Sequence, residues 1–368
     1  MSSLDEDSRV PIADPAVGER EAERVAEVLH SGALADGEVV RAFEDEFATY
    51  CHTDRAVATS NGTTALHAAL VACGIGEGDV VVTTPFSFVA TANAVRFCGA
   101  RPVFADVDPE TYNLDPAAVR DVIRAEGEVD AVLPVHLYGL PAEMDELAAI
   151  ADEHDAALIE DAAQAHGAEI DGDRVGQFGD AAAFSFYPTK NMTTGEGGMV
   201  VTDRADVADR AARFVNHGRD GNYRHVELGH NFRLTNVAAA IGRVQLKRLG
   251  PFVRARRDAA ARLSEALADS ELRTPPDPDD RTHAYHQYTV TAPDRDRLAA
   301  HLDDRGIDTG VYYPTPIHEQ PAYDGVDADC PVAEQAAERV LSVPVHPGLT
   351  DGDIDRVADA LADYEVVQ

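Results

Sequence analysis

One of the two lysines of the chain lies in a glycine-rich loop. Lys190 belongs to the stretch YPTKNMTTGEGG (187–198), and of the 31 basic side chains only this residue and Lys247 are not arginines. An amine in a partly apolar pocket loses its proton more easily than in water and can then form a Schiff base, whereas a guanidinium group stays protonated. The alternative is a surface lysine in a flexible loop. Arginine would serve that cationic role, so the composition favours a reactive amine at Lys190 and an ordinary exposed cation at Lys247.

A carboxylate follows an apolar segment in ALIEDAAQAHGA (157–168). Asp161 would lie at the carboxyl end of a strand, which is the edge where open α/β sheets bind ligands. An aspartate in this position either caps a following helix or faces a cationic group of a ligand, such as a ring nitrogen. Gln164 and His166 follow closely. His166 fits an ordinary polar turn as well as a ligand contact, and the stretch alone does not decide between them.

Small hydroxyl residues follow a glycine turn in SNGTTALHAAL (60–70). Here Thr63 and Thr64 open a predicted helix. A helix N-terminus with unused backbone N–H groups and hydroxyl side chains is a ready phosphate site. Threonine at such a position is first of all a helix cap, so both interpretations stay open for this stretch alone.

These three stretches fit a single cofactor. Pyridoxal phosphate requires a lysine for the Schiff base, a carboxylate for its pyridinium nitrogen and a phosphate site. The lysine, the aspartate and the threonine pair described above would supply them. An aromatic ring against the pyridine face would complete the site, and PFSFVATANA (85–94) offers Phe86 and Phe88. At least one of these two rings is expected in the sheet core instead.

The surrounding pattern predicts an α/β fold. Short apolar segments such as DVVVTTP (79–85) and DAVLPVH (130–136) alternate with helical patterns, which is typical of βαβ units and a mostly parallel sheet between helices. A long helical pattern covers 235–268. We expect a large domain over residues 1–250, including an N-terminal helical segment, and a smaller C-terminal α/β domain over 251–368.

Charge and composition exclude several classes of function. The formal net charge is −35, with 66 acidic against 31 basic side chains, and nucleic acid or an anionic membrane would repel such a chain. No apolar run approaches the ~20 residues that span a bilayer, and the acidic N-terminus does not have the pattern of a signal peptide. The four cysteines include no CxxC pair, so we expect no metal site, no disulfide framework and a cytoplasmic location.

Taken in order, the motifs resemble those of the sugar aminotransferases of the DegT/DnrJ/EryC1/StrS group, within fold type I of the PLP-dependent transferases, the aspartate-aminotransferase fold. The matching stretches include SNGTTALHAAL, TPFSFVATANAV, IEDAAQAHGA, FSFYPTKNMTTGEGGMVVT, GHNFRLTNVAAAIGRVQLKRL and YYPTPIHEQPAY. They extend over nearly the whole chain, which makes the resemblance far more specific than any single glycine-rich loop.

The resemblance implies a set of cofactor contacts. Lys190 would form the Schiff base and Asp161 would pair with the pyridinium nitrogen, and these two are the expected catalytic residues. The other contacts would surround the rest of the cofactor: Gln164 at the ring hydroxyl, Phe88 stacked on the ring, Ser185 with Thr63 and Thr64 at the phosphate, and Asn231 reaching the phosphate from a partner subunit. A homodimer with shared active sites is therefore expected.

The same resemblance implies the reaction. An amino acid, expected to be L-glutamate, would give its amino group to the cofactor, and the resulting pyridoxamine phosphate would pass it to a nucleotide-linked keto-sugar, giving an amino sugar for glycan or surface polysaccharide biosynthesis. Tyr313 and His318 match positions near the sugar-nucleotide cleft. Two alternatives stay open: other pyridoxal-phosphate chemistry on sugars, such as dehydration, and a non-catalytic regulatory homologue. The dehydrating branch of the family has a histidine in place of the lysine, so Lys190 disfavours that branch.

The acidic composition predicts dependence on salt. Acidic residues are spread along the chain rather than gathered in a tail, and their mutual repulsion is screened when the ionic strength is high. We expect a salt-loving or very GC-rich source, with refolding yield and activity clearly higher in molar KCl than at low salt. Circular dichroism and activity measured across a KCl series test this expectation, and equal stability at both ends of the series would contradict it.

Overall fold

The computed structural model describes residues 9–221, 223–326 and 328–366. Within these ranges no helix is long and apolar enough to cross a membrane. The helices are α1 (Glu19–Ser31), α2 (Glu38–Cys51), α3 (Gly62–Ala72), α4 (Ala90–Phe97), α5 (Pro116–Glu126), α6 (Met144–Glu153), α7 (Ala205–Phe214), α8 (Asn236–Ala266), α9 (Arg295–Asp303), α10 (Pro331–Arg339) and α11 (Asp351–Ala362). The strands are β1 (Arg55–Thr59), β2 (Val80–Thr83), β3 (Arg101–Phe104), β4 (Ala131–Leu133), β5 (Ala157–Asp161), β6 (Glu169–Ile170), β7 (Asp173–Arg174), β8 (Ala181–Ser185), β9 (Gly198–Thr202), β10 (Arg281–Thr282), β11 (Tyr288–Thr291) and β12 (Val340–Val343).

Seven strands form the central sheet in the order β1-β9-β8-β5-β4-β2-β3. The pairs β2–β3, β2–β4, β4–β5 and β5–β8 are parallel, while β9 runs antiparallel to both β1 and β8. Two small sheets, β10-β6-β7 and β11-β12, lie outside it. The mostly parallel, mixed sheet between helices confirms the predicted α/β fold class.

Strand β8 is buried on both faces, and its residues alternate between two cores. Ala181 and Ala183 pack with α3 and α7 on one face, while Ala182 and Phe184 pack with α2 and α8 on the other. This alternation follows from the two-residue period of a strand. Because the first face presents alanines, α3 can lie close against the sheet, and its N-terminus reaches the strand ends.

Helix α8 contributes to two hydrophobic cores. Its first half adds Leu249 to the core under the central sheet, and its second half adds Leu263 to a core that it shares with β11, β12, α9 and α11. The boundary expected after residue 250 falls inside this helix, and Val10 packs in the second core. The division into residues 1–250 and 251–368 therefore stays a prediction.

Glu160 holds two loops against the sheet. It is fully buried in β5, and its Oε2 lies 3.0 Å from Nε2 of His136 in the loop after β4. A buried carboxylate is costly without partners, and this one has several more. Three backbone N–H groups donate to it at 2.8–3.0 Å, those of Gly176, Phe178 and Gly179. These bonds fix the position of β5, the strand that ends at Asp161.

Removing the Glu160 carboxylate should destabilise the fold strongly. Glu160→Ala would leave the His136 ring and the three backbone N–H groups without their partner, and we expect a loss of about 3–5 kcal/mol in the free energy of unfolding. Urea denaturation followed by circular dichroism measures it. Glu153→Ala is the matched control: Glu153 pairs with Arg120 at 2.7 Å on the surface, where such pairs contribute less than about 1 kcal/mol. Equal losses in the two variants would contradict this account.

Candidate active site

Two of the predicted site residues lie at the carboxyl ends of neighbouring strands. Asp161 ends β5, Ser185 ends β8, its parallel neighbour, and β1 ends at Thr59 just before the turn into α3. The reversed strand β9 begins between them, since Gly198 pairs with both Thr59 and Ser185. The sheet therefore brings Asp161 and Ser185 to the edge where open α/β sheets bind ligands.

Two glycines allow α3 to begin directly against this edge. A Cβ at Gly62, the first residue of α3, would lie 2.6 Å from the Cβ of Ser185, and a Cβ at Gly198 would collide with the carbonyl oxygen of Asn61. Glycine is the residue that permits such a close approach of the backbone. The N-terminus of α3 consequently lies in contact with Ser185.

The first turn of α3 has hydrogen-bond donors available. Asn61 caps the helix, because its Oδ1 accepts from the N–H of Thr64 at 2.9 Å, and the Oγ1 of Thr64 accepts from the N–H of Asn61 at 3.1 Å. Among the described residues, no hydrogen bond engages the N–H groups of Gly62 and Thr63 or the Thr63 hydroxyl. The Oγ of Ser185 accepts one long hydrogen bond of 3.4 Å from a backbone N–H. Capping therefore explains Thr64, while Gly62, Thr63 and Ser185 can bind an anion at the helix N-terminus.

Asp161 is a buried carboxylate that is 3% exposed. Its Oδ2 accepts a hydrogen bond from the Thr91 hydroxyl at 2.8 Å, and its Oδ1 accepts one from the N–H of Ala163 at 3.2 Å. Burial raises the pKa of Asp161, and these two bonds together with the charge of Lys190 oppose that rise. The chain continues from Asp161 through turns to β6 rather than into a helix, so the helix-cap alternative does not apply. The environment favours a cationic partner for this carboxylate.

Lys190 lies in the turn region between β8 and β9. Desolvation of its amine lowers the pKa of Lys190 to about 8, although the residue as a whole is only half-buried, and the charge of Asp161 opposes this decrease. A substantial fraction of the amine is therefore neutral near pH 8, which is the state that Schiff-base formation requires. Lys247, by contrast, is exposed on α8.

Gln164 forms hydrogen bonds with Tyr138, in the loop after β4, and with Tyr313, between α9 and α10. Its Oε1 accepts a hydrogen bond from the N–H of Tyr138 at 2.7 Å, and its Nε2 donates to the hydroxyl of Tyr313 at 3.1 Å. The ring of Tyr313 lies 6.1 Å from that of Phe88. Burial raises the pKa of Tyr313, and the charge of Asp161 raises it further, so this hydroxyl stays protonated. The structure thus brings Gln164, Tyr313 and Phe88 together.

The two candidate aromatic residues differ in environment. Phe86 is fully buried in a core with Phe104 and Tyr112, whereas Phe88 is 56% exposed. One ring of the pair therefore belongs to the core, as the sequence indicated, and Phe88 is the ring that can face a ligand.

Asn231 and His318 have partners of their own among the described residues. Asn231 is exposed, in a segment that pairs with Asn216. The Nε2 of His318 lies 3.2 Å from Oε1 of Glu334, and ligand atoms of these two side chains and Glu319 lie within 4.8 Å of one another, a grouping that the sequence did not predict. No hydrogen bond or ring contact between described residues joins Asn231 or His318 to Lys190.

Buried basic side chains lie near Lys190. His166 is 1% exposed, and within the described part of the chain neither of its ring nitrogens has a hydrogen-bond partner. Burial, followed by the charge of Lys190, lowers the pKa of His166 to about 3. Burial likewise lowers the pKa of His286 well below its usual value and that of Arg256 to about 10. His166, which the sequence left open between a turn and a ligand contact, is thus a neutral buried ring beside the lysine.

The site combines a helix N-terminus with unused hydrogen-bond donors, a buried carboxylate and an amine of lowered pKa at the carboxyl ends of the strands of a mostly parallel sheet. The fold of the whole chain is that of the PLP-dependent transferases of fold type I. The chain belongs to the DegT/DnrJ/EryC1/StrS aminotransferase family, whose model matches residues 15–362. The family that the motifs indicated is therefore confirmed.

Several known proteins match nearly the full length of the chain. A pleiotropic regulatory protein of Geobacillus stearothermophilus is 41% identical over 92% of each chain. The dTDP-3-amino-3,4,6-trideoxy-alpha-D-glucose transaminase of Streptomyces venezuelae is also 41% identical, over 99% of this chain and 98% of its own. The crystal structure of S. venezuelae DesV in complex with a ketimine intermediate matches with a TM-score of 0.93 and 41% identity, covering 97% of this chain and 99% of that one.

Asp161→Asn should lower the pKa of the Lys190 amine below about 8, because the charge of the carboxylate opposes the effect of desolvation. The rate of Schiff-base formation with a small aromatic aldehyde, measured across pH in a Lys247→Arg background, reports this pKa, and its midpoint should move to lower pH. Glu196→Gln is the control, because Glu196 is exposed in the same loop and should leave the midpoint in place. An unchanged or raised midpoint in Asp161→Asn would refute the coupling.

Proposed function

We propose that the protein is a PLP-dependent aminotransferase that moves an amino group from an amino acid to a nucleotide-linked keto-sugar. The observation that carries the proposal is the buried Asp161 carboxylate at the ligand edge of the sheet, with the desolvated Lys190 amine close enough for the two charges to interact. The S. venezuelae relative, a sugar-nucleotide transaminase by name, supports this substrate class. L-Glutamate is the proposed amino donor, and the amino sugar formed is proposed to enter glycan or surface polysaccharide biosynthesis.

Pyridoxal phosphate fits the groups that the site leaves available. The N–H groups of Gly62 and Thr63 and the hydroxyl of Ser185 suit its phosphate, and the exposed Phe88 suits the face of its ring. Gln164 has a second amide hydrogen for the ring hydroxyl, because its first is donated to a tyrosine. In this proposal Thr64 acts through the helix cap, and Asn231 serves the phosphate of a partner subunit.

When bound, the cofactor supplies an aldehyde for the Schiff base and a ring that accepts electron density from the reacting carbon. The Asp161 carboxylate would hold the ring nitrogen of the cofactor in its protonated form, and the Thr91 hydroxyl helps to keep this carboxylate ionised. The Nζ of Lys190 would take the proton from the α-carbon of the donor and would later give a proton to the carbon of the acceptor sugar. Its pKa of about 8 suits both directions, since a general acid–base group works best near the operating pH.

The proposed substrate contacts are Tyr313 and His318. Gln164 already fixes the hydroxyl of Tyr313, whereas His318 would have to exchange its contact with Glu334. A homodimer is proposed because the resemblance assigns Asn231 to the phosphate of a partner subunit, and Asn231 is exposed with no hydrogen bond to Lys190 among the described residues of its own subunit. All four cysteines are free thiols, which supports a reducing compartment such as the cytoplasm.

A regulatory role is the second candidate function, because one relative with 41% identity is named a regulatory protein. A protein that had given up catalysis would have no need for a desolvated lysine and a buried carboxylate, since both groups are costly to bury. The presence of Lys190 and Asp161 in this arrangement therefore favours the aminotransferase. Lys190 equally disfavours sugar dehydration, for which the related enzymes use a histidine at this position.

Lys190→Ala should abolish amino transfer, because no other lysine among the described residues is partly buried. Purified protein is supplied with pyridoxal phosphate, L-glutamate and a panel of UDP-, GDP- and dTDP-linked keto-sugars, and amino sugar is detected by mass spectrometry. Lys247→Ala is the control and should keep wild-type activity. Amino sugar produced by Lys190→Ala would refute the assignment, and a wild-type protein inactive with every sugar would favour the regulatory candidate.

A further inference from the structure

We propose that His67 is a positioning residue that holds the extended segment 230–233 (the Asn231 strand) and so links the two active sites of the dimer. The proposal rests on the function proposed above, in particular on a dimer in which Asn231 serves the cofactor of the partner subunit. It adds the means by which each subunit aims that asparagine.

The two residues that flank Asn231 share one face of an extended segment. Successive side chains of an extended chain point to opposite faces, so His230 and Phe232 lie on one side and Asn231 on the other. The rings of His230 and Phe232 are stacked, with centroids 4.5 Å apart and an interplanar angle of 3°. The direction of the Asn231 side chain is therefore set by what supports this ring pair on the opposite face.

His67 packs against that ring pair from α3. It lies one helical turn after Thr63 and Thr64 and is 8% exposed. Its ring centroid is 5.7 Å from that of His230 and 6.2 Å from that of Phe232, distances at which aromatic rings attract one another. Phe214 of α7, at 4.9 Å, and Phe97 of α4, at 5.9 Å, complete the cluster.

His67 takes part in this cluster as a neutral ring. Burial, followed by the proximity of His230, lowers the pKa of His67 to about 4. At neutral pH the side chain therefore packs like the phenylalanines around it and requires no counterion.

The backbone provides a second connection between the same two elements. The N–H of Ser60, in the turn that leads into α3, donates to the carbonyl oxygen of Phe232 at 2.7 Å. Arg233 pairs with Thr59, the last residue of β1. The turn into α3 is therefore bonded directly to the Asn231 strand. In the proposed dimer, α3 presents donors to the phosphate in its own subunit, and the Asn231 strand reaches the phosphate in the partner subunit.

This arrangement predicts that loss of the His67 ring impairs mainly the active site of the partner subunit. In a dimer with shared sites, the Asn231 strand of one subunit completes the cleft of the other. Displacing that strand should weaken cofactor binding and turnover in trans, while the cleft of the altered subunit still receives a correctly held strand.

Hybrid dimers separate these effects. Two differently tagged chains are coexpressed, and the hybrid is isolated on both tags. In the trans hybrid, one subunit carries Lys190→Ala and His67→Ala and the other is wild type, so the one live site receives its Asn231 from the altered subunit. In the cis hybrid, one subunit carries Lys190→Ala and the other His67→Ala. Cofactor affinity by absorbance titration and kcat/KM should fall on the order of tenfold in the trans hybrid and much less in the cis hybrid.

Two further variants test the proposal if His67→Ala folds poorly. His67→Phe keeps an aromatic ring and should restore the trans hybrid, and His230→Ala, at an exposed position, should reproduce the trans defect. A cis defect equal to or larger than the trans defect, or failure to form hybrids because the chain is monomeric, would overturn the proposal. The proposal also requires that each site of the dimer works independently. The hybrid of one Lys190→Ala subunit with one wild-type subunit must therefore be active. If this hybrid is inactive although the wild-type dimer is active, the proposal is overturned. A wild-type protein inactive with every sugar would instead refute the proposed function.

Discussion

A carboxylate buried at the end of a strand is the constraint on which the rest of the site depends. Asp161 is removed from water, and burial alone would favour its neutral form. The Thr91 hydroxyl, the N–H of Ala163 and the charge of Lys190 oppose this. Desolvation lowers the pKa of Lys190 in turn, and the carboxylate limits that decrease. The charge of each group therefore influences the protonation of the other, and the free amine of Lys190 has a pKa of about 8.

The neighbouring carboxylate in the same strand shows what a structural role looks like. Glu160 points to the opposite face of β5, where His136 and three backbone N–H groups bond to it. Asp161, one residue later, has two hydrogen-bond partners in the described chain, one of them at 3.2 Å. A buried acid that is left with spare acceptor capacity at the ligand edge of the sheet is a candidate functional group. Both carboxylates are buried, and they differ in how fully their hydrogen-bond acceptors are used.

Local patterns in the sequence were sufficient for the fold class and for the residues at the strand ends. The alternation of apolar strands and helices predicted the sheet, and the scarcity of lysine was sufficient to distinguish Lys190 from the other cations. Contacts between distant segments left no such signal. Thr91 lies 70 residues before Asp161, and nothing around it indicates a carboxylate partner. The reversed direction of β9 and the packing of Val10 in the second core likewise depend on tertiary structure.

Trapping of the Schiff base tests the central claim most directly. The protein is reconstituted with pyridoxal phosphate, reduced with borohydride and digested, and the peptides are analysed by mass spectrometry. The account predicts a stable pyridoxyl adduct on the peptide that contains Lys190 and none on the peptide that contains Lys247. An adduct confined to Lys247, or the absence of any adduct under conditions where the protein is folded, would contradict it.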